Sequence, residues 1–186
     1  MKMTKEDIHQ ATRNLLLIGG YDYLTFAKLS QELGVTRPAL YKHYPTKDEL
    51  ILAMMSAEMT SFLEDMPALI ASKPTDILTV LLNKFLEFAD IHRLLESLYR
   101  IDYETRQKFP DRMLALKQAH EMFKDYLDQL IDQAKAQNVF NNELPNEWIV
   151  KFLMNAIHMI EDRQNIEEID IVKKLLLHGL AKHEDE

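Results

Sequence analysis

The sequence predicts an all-α protein. Along most of the 186 residues, apolar side chains recur at alternating steps of three and four, which is the spacing of one helix face. With only 4 Gly and 6 Pro, the chain has little room for the many turns of a β-rich fold. Helix start and stop signals predict about nine helices.

The first helix is predicted to begin after Thr4 and to stop at Gly19 and Gly20. Thr4 and Asp7 have the spacing of a capping box, in which each side chain satisfies a backbone N–H at the helix start. Glycine is common just past a helix end because it adopts left-handed backbone angles without steric cost. The predicted inner face carries Ile8, Ala11, Leu15 and Ile18.

The next two helices are short and are joined by a turn that contains Gly34. Thr25 is the predicted cap of the first helix. Thr36 caps the second, and Pro38 lies in its first turn, where a missing N–H costs nothing. Two short helices joined in this way form a helix-turn-helix, whose second helix enters the DNA major groove. The pattern therefore predicts a DNA-binding protein.

Threonine and proline signals also mark the later helices. Thr46 and Glu49 form a second capping box, and the helix that they open is expected to reach about residue 72 with a break at Pro67. Two further helices are predicted to begin at Pro74 and Pro110, and residues 101–109 are predicted to hold a short helix or turn. Two inward stripes are predicted, one with Leu78, Leu81, Phe85, Phe88, His92, Leu95 and Tyr99, the other with Met113, Leu116, His120, Phe123, Leu127, Leu130 and Ala134.

The last two helices carry more apolar surface than one buried face needs. Residues 146–162 are apolar around nearly the whole circumference, and the segment of about 167–181 is similarly rich in Ile, Val and Leu. A helix of this kind must be buried on more than one side. We therefore expect these two helices to form a homodimer interface.

The net charge of −8 is unevenly distributed. Residues 1–50 contain seven Lys+Arg and six Asp+Glu, a net of +1, which leaves −9 for the rest. An acidic body with a near-neutral head disfavours DNA at every face but one, although an acidic surface also aids solubility.

Several classes of protein are disfavoured. The chain has no Cys, which excludes disulfides and fits a reducing cytoplasm. Its charged N-terminus predicts no signal peptide, and its apolar stretches are too short for a membrane span. The motifs G-x-S-x-G and H-E-x-x-H, a Cys nucleophile and a repeated E-x-x-H are all missing from the sequence, so we expect neither an enzyme nor a cofactor.

A set of residues at fixed spacing between Thr4 and Leu52 carries a family resemblance: Gly20, Tyr21, Thr25, Leu29, Leu33, Gly34, Val35, Leu40, Tyr41, His43, Tyr44, Lys47 and Leu50. This segment resembles the N-terminal domain of the tetracycline-repressor (TetR) family of bacterial transcriptional regulators. The departures are mild, with Ser30, Thr36 and Tyr44 where Ala, Ser and Phe are more usual. The resemblance implies a three-helix helix-turn-helix DNA-binding domain over residues 1–50. It also implies a helical effector-binding and dimerisation domain over residues 51–186.

The residues of the third helix suit contacts with DNA. Thr36 offers a hydroxyl to a phosphate, and Arg37 at the helix start has a fork that suits guanine O6 and N7. Ala39 permits close approach, whereas Lys42 and His43 reach base edges or phosphates. A merely solvated basic face is the alternative interpretation.

The remaining predicted contacts flank that helix. The resemblance implies that Tyr41 gives its hydroxyl to a phosphate. Lys47 lies in the first turn of the fourth helix, where the helix dipole disfavours a cation and a nearby phosphate would compensate. Thr25 and Lys28 of the preceding helix complete the predicted set.

The resemblance further implies a small-molecule pocket in the C-terminal domain, with ligand binding that moves the fourth helix and changes the spacing of two DNA-binding heads. Aromatic and polar residues on inward stripes suit a mainly apolar pocket for an apolar or planar effector, although each also suits an ordinary core. The predicted pocket residues are Phe85, Phe88, His92, Tyr99, Tyr103, His120, Phe123, Asn155, His158 and Met159.

The predicted function is a ligand-responsive regulator, most simply a repressor, that binds a near-palindromic operator as a dimer. Two alternatives stay open. His92, His120 and His158 permit metal sensing. A helical dimer that binds another protein is the second alternative.

Overall fold

A computed structural model describes residues 3–157, 159–160 and 165–178. Within these residues every regular element is a helix, which confirms the predicted all-α class. The helices are α1 (Lys5–Tyr23), α2 (Phe26–Leu33), α3 (Arg37–Tyr41), α4 (Lys47–Glu64), α5 (Met66–Ser72), α6 (Ile77–Tyr99), α7 (Tyr103–Gln107), α8 (Pro110–Ala136), α9 (Asn146–Ile157) and α10 (Ile166–His178).

Helix α1 begins with the predicted capping box. The Asp7 N–H donates to Thr4 Oγ1 over 3.1 Å, and the Thr4 N–H donates to Asp7 Oδ2 over 2.8 Å. The predicted stop at the glycine pair is instead a kink, because Gly20 has φ 68° and ψ −165° and the helix resumes as far as Tyr23.

The prediction that Ile18 belongs to the core face of α1 is wrong. Ile8 and Leu15 are buried as expected, whereas Ile18 is 70% exposed. The buried face also includes Thr12 and Leu16, so its centre is rotated away from Ile18. Steps of three and four only approximate the helical period, so Ile18, which they predict to be on this face, lies beyond its edge.

The helix-turn-helix forms where the sequence predicts it. Thr25 Oγ1 accepts the Lys28 N–H over 3.2 Å, and Gly34 ends α2 in the left-handed region at φ 63° and ψ 31°. Thr36 occupies the N-cap position of α3, but its side chain accepts no capping hydrogen bond from the described first turn. Thr36 therefore differs from Thr25, whose hydroxyl is used within the fold.

The predicted long fourth helix is divided at Asp65 into α4 and α5, two residues before Pro67. Thr46 Oγ1 accepts the Glu49 N–H over 3.1 Å at the start of α4. Lys84 of α6 donates to both carboxylate oxygens of Asp65 over 3.0 Å, which fixes the break.

The described residues group into two compact units. One unit comprises the described residues within Met1–Leu63 and Asp90–Glu121, and the other comprises those within Glu64–Ala89 and Met122–Glu186. Each unit has its own core of side chains that are essentially inaccessible to solvent. The core of the first unit includes Ile8, Leu29, Leu40, Leu50, Ile51 and Met55. The core of the second unit includes Met66, Ile77, Leu81, Phe85, Leu130 and Ile131. The functional boundary at residue 50 stays a prediction.

The two inward stripes are confirmed only in part. On α6, Leu78, Leu81, Phe85 and Phe88 are buried, and on α8, Leu116, Phe123, Leu127, Leu130 and Ala134 are buried. His92, Tyr99 and His120 are exposed instead, because these parts of α6 and α8 border a surface crevice. In the described parts of the chain, each helix is too short or too polar to cross a membrane.

Candidate nucleic-acid interface and ligand crevices

Helix α3 separates a core-facing side from a solvent-facing side within five residues. Leu40 is 1% exposed and anchors the helix, whereas Thr36 and Arg37 at its start are exposed. Ala39 is half-buried, and its small side chain would let the backbone of α3 approach a partner closely. The other exposed positions at and after the end of α3 are Tyr41, Lys42 and His43.

The ring of Tyr41 is oriented by α2. It packs edge-on against Phe26, with ring centroids 4.6 Å apart, while 52% of the Tyr41 residue surface stays exposed. Because Phe26 is itself buried, the contact restricts the Tyr41 ring without covering it. Arg37 lies four residues before Tyr41 on α3, so the two residues share one face of the helix.

The two predicted contacts of α2 lie near this surface in different environments. Thr25 is exposed, but its hydroxyl oxygen caps α2. Lys28 is half-buried, and its Nζ lies 3.0 Å from the ring centroid of Tyr23, a cation–π contact. Lys28 therefore presents a positive charge whose position is defined by an aromatic ring.

The positive charge of Lys47, which the dipole of α4 disfavours, is compensated by contacts within the fold. Its Nζ donates to the backbone carbonyl oxygen of Tyr21 over 3.1 Å and lies 3.6 Å from the centroid of the Tyr21 ring. The carbonyl belongs to the last turn of α1, an end that favours cations. The phosphate that the sequence suggested as compensation is thus not required for Lys47 to be tolerated at the start of α4.

The Tyr21 hydroxyl completes this contact by donating to Asp48 Oδ1 over 2.6 Å. Burial and the hydrogen bond to Asp48 together raise the pKa of Tyr21 to about 12. The end of α1 is consequently joined to the start of α4, the helix that directly follows the helix-turn-helix.

A second set of contacts supports the end of the helix-turn-helix from α1 and α8. His9 Nε2 lies 2.7 Å from the Tyr44 hydroxyl, and Arg112 Nη1 donates to the Glu49 carbonyl oxygen over 3.2 Å. Burial lowers the pKa of His9 and raises that of Tyr44. Sequence reasoning missed these residues, and spacing gave no signal for a contact between residues 63 positions apart.

Arginine side chains also connect α1 to α4 and α6. Arg13 Nε lies 3.3 Å from Glu58 Oε2, and its Nη2 lies 3.1 Å from Asp90 Oδ2. Arg93 Nη2 donates to the Leu17 carbonyl oxygen over 3.2 Å. These contacts lie within the first unit and hold α1 against the helices that follow the helix-turn-helix.

The predicted effector residues do not form one site. Phe85, Phe88 and Phe123 lie in the closed core of the second unit, where the Phe88 and Phe123 centroids are 4.2 Å apart. Tyr103, by contrast, is 70% exposed on α7.

Three other predicted residues do come together. His92, Tyr99 and His120 line a crevice of about 340 Å³ in the first unit, together with Met59 of α4 and Arg106 of α7. This volume lies at the lower end of the range of small-molecule sites. The crevice is therefore the part of the predicted pocket that the structure assembles.

The last predicted pocket residues lie around α9. Asn155 donates to the Lys151 carbonyl oxygen over 2.7 Å and borders an apolar crevice of about 420 Å³ lined by Trp148 and Phe152. Met159 is 59% exposed, and His158 lies outside the described residues. Among the residues that are described, there is no group of three or more His, Asp or Glu suited to a metal ion.

Comparisons with known proteins agree with the geometry of the N-terminal helices. Residues 8–54 match the family model described as bacterial regulatory proteins, tetR family. In a comparison by sequence, none of the curated proteins matches the chain.

Solved structures match nearly the whole chain. The fatty acid degradation regulator FadR from Bacillus halodurans superposes with a TM-score of 0.61 at 19% identity, covering 98% of this chain and 100% of that one. FadR from Bacillus subtilis, solved with stearoyl-CoA, gives 0.61 at 18% identity, covering 96% and 100%. A putative transcriptional regulator from Saccharomonospora viridis, solved with choline, gives 0.64 at 13% identity, covering 96% and 98%. At these identities the likeness shows a shared fold.

Proposed function

We propose that this chain, a member of the tetR family of bacterial regulatory proteins, is a ligand-responsive repressor that binds a near-palindromic operator as a homodimer. Members of the family are DNA-binding transcriptional regulators. The observation that carries the proposal is the exposure of Arg37 and Tyr41 on α3 and of Lys42 directly after it, while Leu40 anchors the helix in the core. A recognition helix needs this division between exposed and buried faces.

Exposed apolar side chains on the last two helices support the dimer. On α9, Trp148 and Phe152 are 59% and 61% exposed, and on α10, Ile166, Ile171 and Leu177 are similarly accessible. Several large apolar side chains exposed on two helices that contact each other favour an interaction site. A two-fold dimer would present two recognition helices to successive major grooves about 34–36 Å apart, and such an arrangement reads a palindrome.

We assign the DNA contacts to residues 1–50 and effector binding and dimerisation to residues 51–186. A regulator of transcription works where the chromosome lies, so we also propose a cytoplasmic location. The relatives leave the effector open, because stearoyl-CoA and choline carry opposite charges. Release of the operator by a small, largely apolar effector is the proposed response.

Selection of bound DNA from a random pool tests the proposal. The expected product is one enriched half-site repeated as an inverted pair with centres one helical turn apart. Binding to this site should weaken steeply as salt is raised, because each protein–phosphate contact releases counterions. Enrichment of no sequence at low salt would contradict the proposal and favour a protein-binding dimer instead.

A further inference from the structure

The crevice of about 340 Å³ in the first unit has an apolar floor. Its floor residues come from three helices: Met59 of α4, Leu95 and Leu98 of α6, and Met113 and Leu116 of α8. Methionine and leucine side chains of this kind suit an aliphatic body better than a polar one.

The rim of the same crevice is polar and basic. Arg106 and Lys117 supply fixed positive charges, and His92, Tyr99 and His120 add hydrogen-bonding groups. The described residues that line the crevice include no Asp or Glu, although the chain has a net charge of −8. Lys117 Nζ does lie 3.8 Å from Glu121 Oε1, but both side chains are largely exposed, so this ion pair is weak.

Arg106, one of the residues that line the crevice, has an unused donor. Its Nε is buried and, within the described part of the chain, has no hydrogen-bond partner. Buried N–H groups are nearly always paired, and an exception calls for an explanation such as a bound ion. A guanidinium group binds carboxylate and phosphate oxygens through paired N–H donors, which matches what Arg106 lacks.

We propose that this crevice binds a small amphiphile whose oxyanion head group, a carboxylate or a phosphate, pairs with Arg106 and whose aliphatic body covers the Met and Leu floor. The charge of the rim selects an anion over a cation, and the floor selects an aliphatic chain over a free inorganic ion.

The site also has a direct connection to the DNA-binding helices. Met59 lies on α4, which begins at Lys47 just after the helix-turn-helix. A ligand on Met59 would therefore contact the helix whose first turn is joined to α1 through Tyr21. The role of this ligand as an effector rests on the proposed function, but its binding does not.

Isothermal titration of the full chain without DNA tests the head group. The probes are octanoate, octyl phosphate, 1-octanol and octyltrimethylammonium, which share one aliphatic chain and differ in charge. We expect octanoate or octyl phosphate to bind at least about ten-fold more tightly than 1-octanol, in line with one charge-assisted hydrogen bond. Equal affinity for 1-octanol, or tighter binding of the cation, would overturn the proposal.

Two arginine variants locate the site. Arg106→Gln should remove the preference for the anion and leave the affinity for 1-octanol unchanged. Arg100→Gln is the matched control, because Arg100 pairs with Asp22 over 2.8 Å and does not line this crevice. A similar loss in both variants would show that the anion binds elsewhere.

A substitution at an exposed position keeps the test valid if the Arg106 variant does not fold. The Lys117 side chain is 74% exposed, so Lys117→Gln should fold normally and weaken octanoate several-fold without affecting 1-octanol. No change in octanoate affinity in either Lys117→Gln or a folded Arg106→Gln would refute the site. Operator affinity is then measured with and without octanoate. A chain that binds octanoate but binds no DNA even without it refutes the regulator and not this site, whereas a chain that binds the operator but not octanoate refutes this site alone.

Discussion

His9 Nε2 lies 2.7 Å from the hydroxyl oxygen of Tyr44, which joins the first helix to the residue that closes the helix-turn-helix. Tyr44 is 5% exposed, and burial is the main cause that lowers the pKa of His9 from 6.5. Glu6 opposes this shift, whereas Lys5 and Arg112 add to it. Burial of this contact therefore favours the neutral imidazole.

Acidification is expected to destabilise the protein through His9. Because the pKa of His9 is lower in the folded chain, the unfolded chain binds more protons below about pH 6.5, and the free energy of unfolding falls there as pH falls. The contribution is fully present above pH 6.5. Urea denaturation near pH 5.5 and pH 7.5 measures the change in the free energy of unfolding. The His9→Gln variant has no titratable group at this position, so its free energy of unfolding should fall less between pH 7.5 and pH 5.5. An equal loss in both proteins would contradict the assignment.

Arg37→Ala should relax the choice of one base in each half-site. Arg37 is exposed at the start of α3, where its guanidinium suits guanine, and loss of such a contact reduces discrimination by about 1–3 kcal/mol. Competition between operators that differ at single positions measures the effect. Tyr41→Phe is the matched control, since loss of a hydroxyl contact to a phosphate should weaken all operators alike. A uniform loss in Arg37→Ala would instead make Arg37 a phosphate contact.

Gly34→Ala should reduce the free energy of unfolding by about 1 kcal/mol. Gly34 has φ 63°, and a Cβ added there would meet no described atom within 4 Å, so backbone strain alone sets the effect. Gly34→Asn should reduce the free energy of unfolding by less than Gly34→Ala, because asparagine tolerates left-handed backbone angles better than alanine. Chemical denaturation of both variants gives the comparison, and equal stability of Gly34→Ala and the unchanged protein would count against strain at this turn.

Trp148→Glu and Phe152→Glu are expected to produce monomers. Both side chains are about 60% exposed on α9, and a buried carboxylate in a subunit interface is strongly unfavourable. Sedimentation velocity should show the lower mass, and operator affinity should fall with it. Ile18→Glu is the control, since Ile18 is 70% exposed on α1 and belongs to the other compact unit. Persistent dimers in both α9 variants would place the interface elsewhere.

Local signals in the sequence predicted the N-terminal helices well. Thr4, Thr25 and Gly34 act on backbone groups only three or four residues away, so their effects follow from spacing alone. The contact between Lys47 and Tyr21 and that between Arg112 and Glu49 depend on packing between distant helices. Nothing in a linear pattern specifies such partners.

The candidate ligand residues show a different limit. The stripes on α6 and α8 indicated which side of each helix faces inward, and Phe85 and Phe123 are buried as expected. Periodicity does not indicate where a core stops, so His92 and His120, on the same stripes, reach the surface. Arg106, the residue with the unused buried donor, lies on a five-residue helix whose pattern gave no sign of a site.

Thr36 and Arg37, the exposed residues at the start of α3, contribute little to folding, because Leu40 anchors that helix in the core and the hydroxyl of Thr36 does not cap it. On the proposed function, substitutions at residues 36 and 37 should leave the scaffold intact and change the bases that α3 reads. Related genes can diverge in target choice through a few codons here, and the same positions are the practical starting point for redesigning the protein toward a new operator.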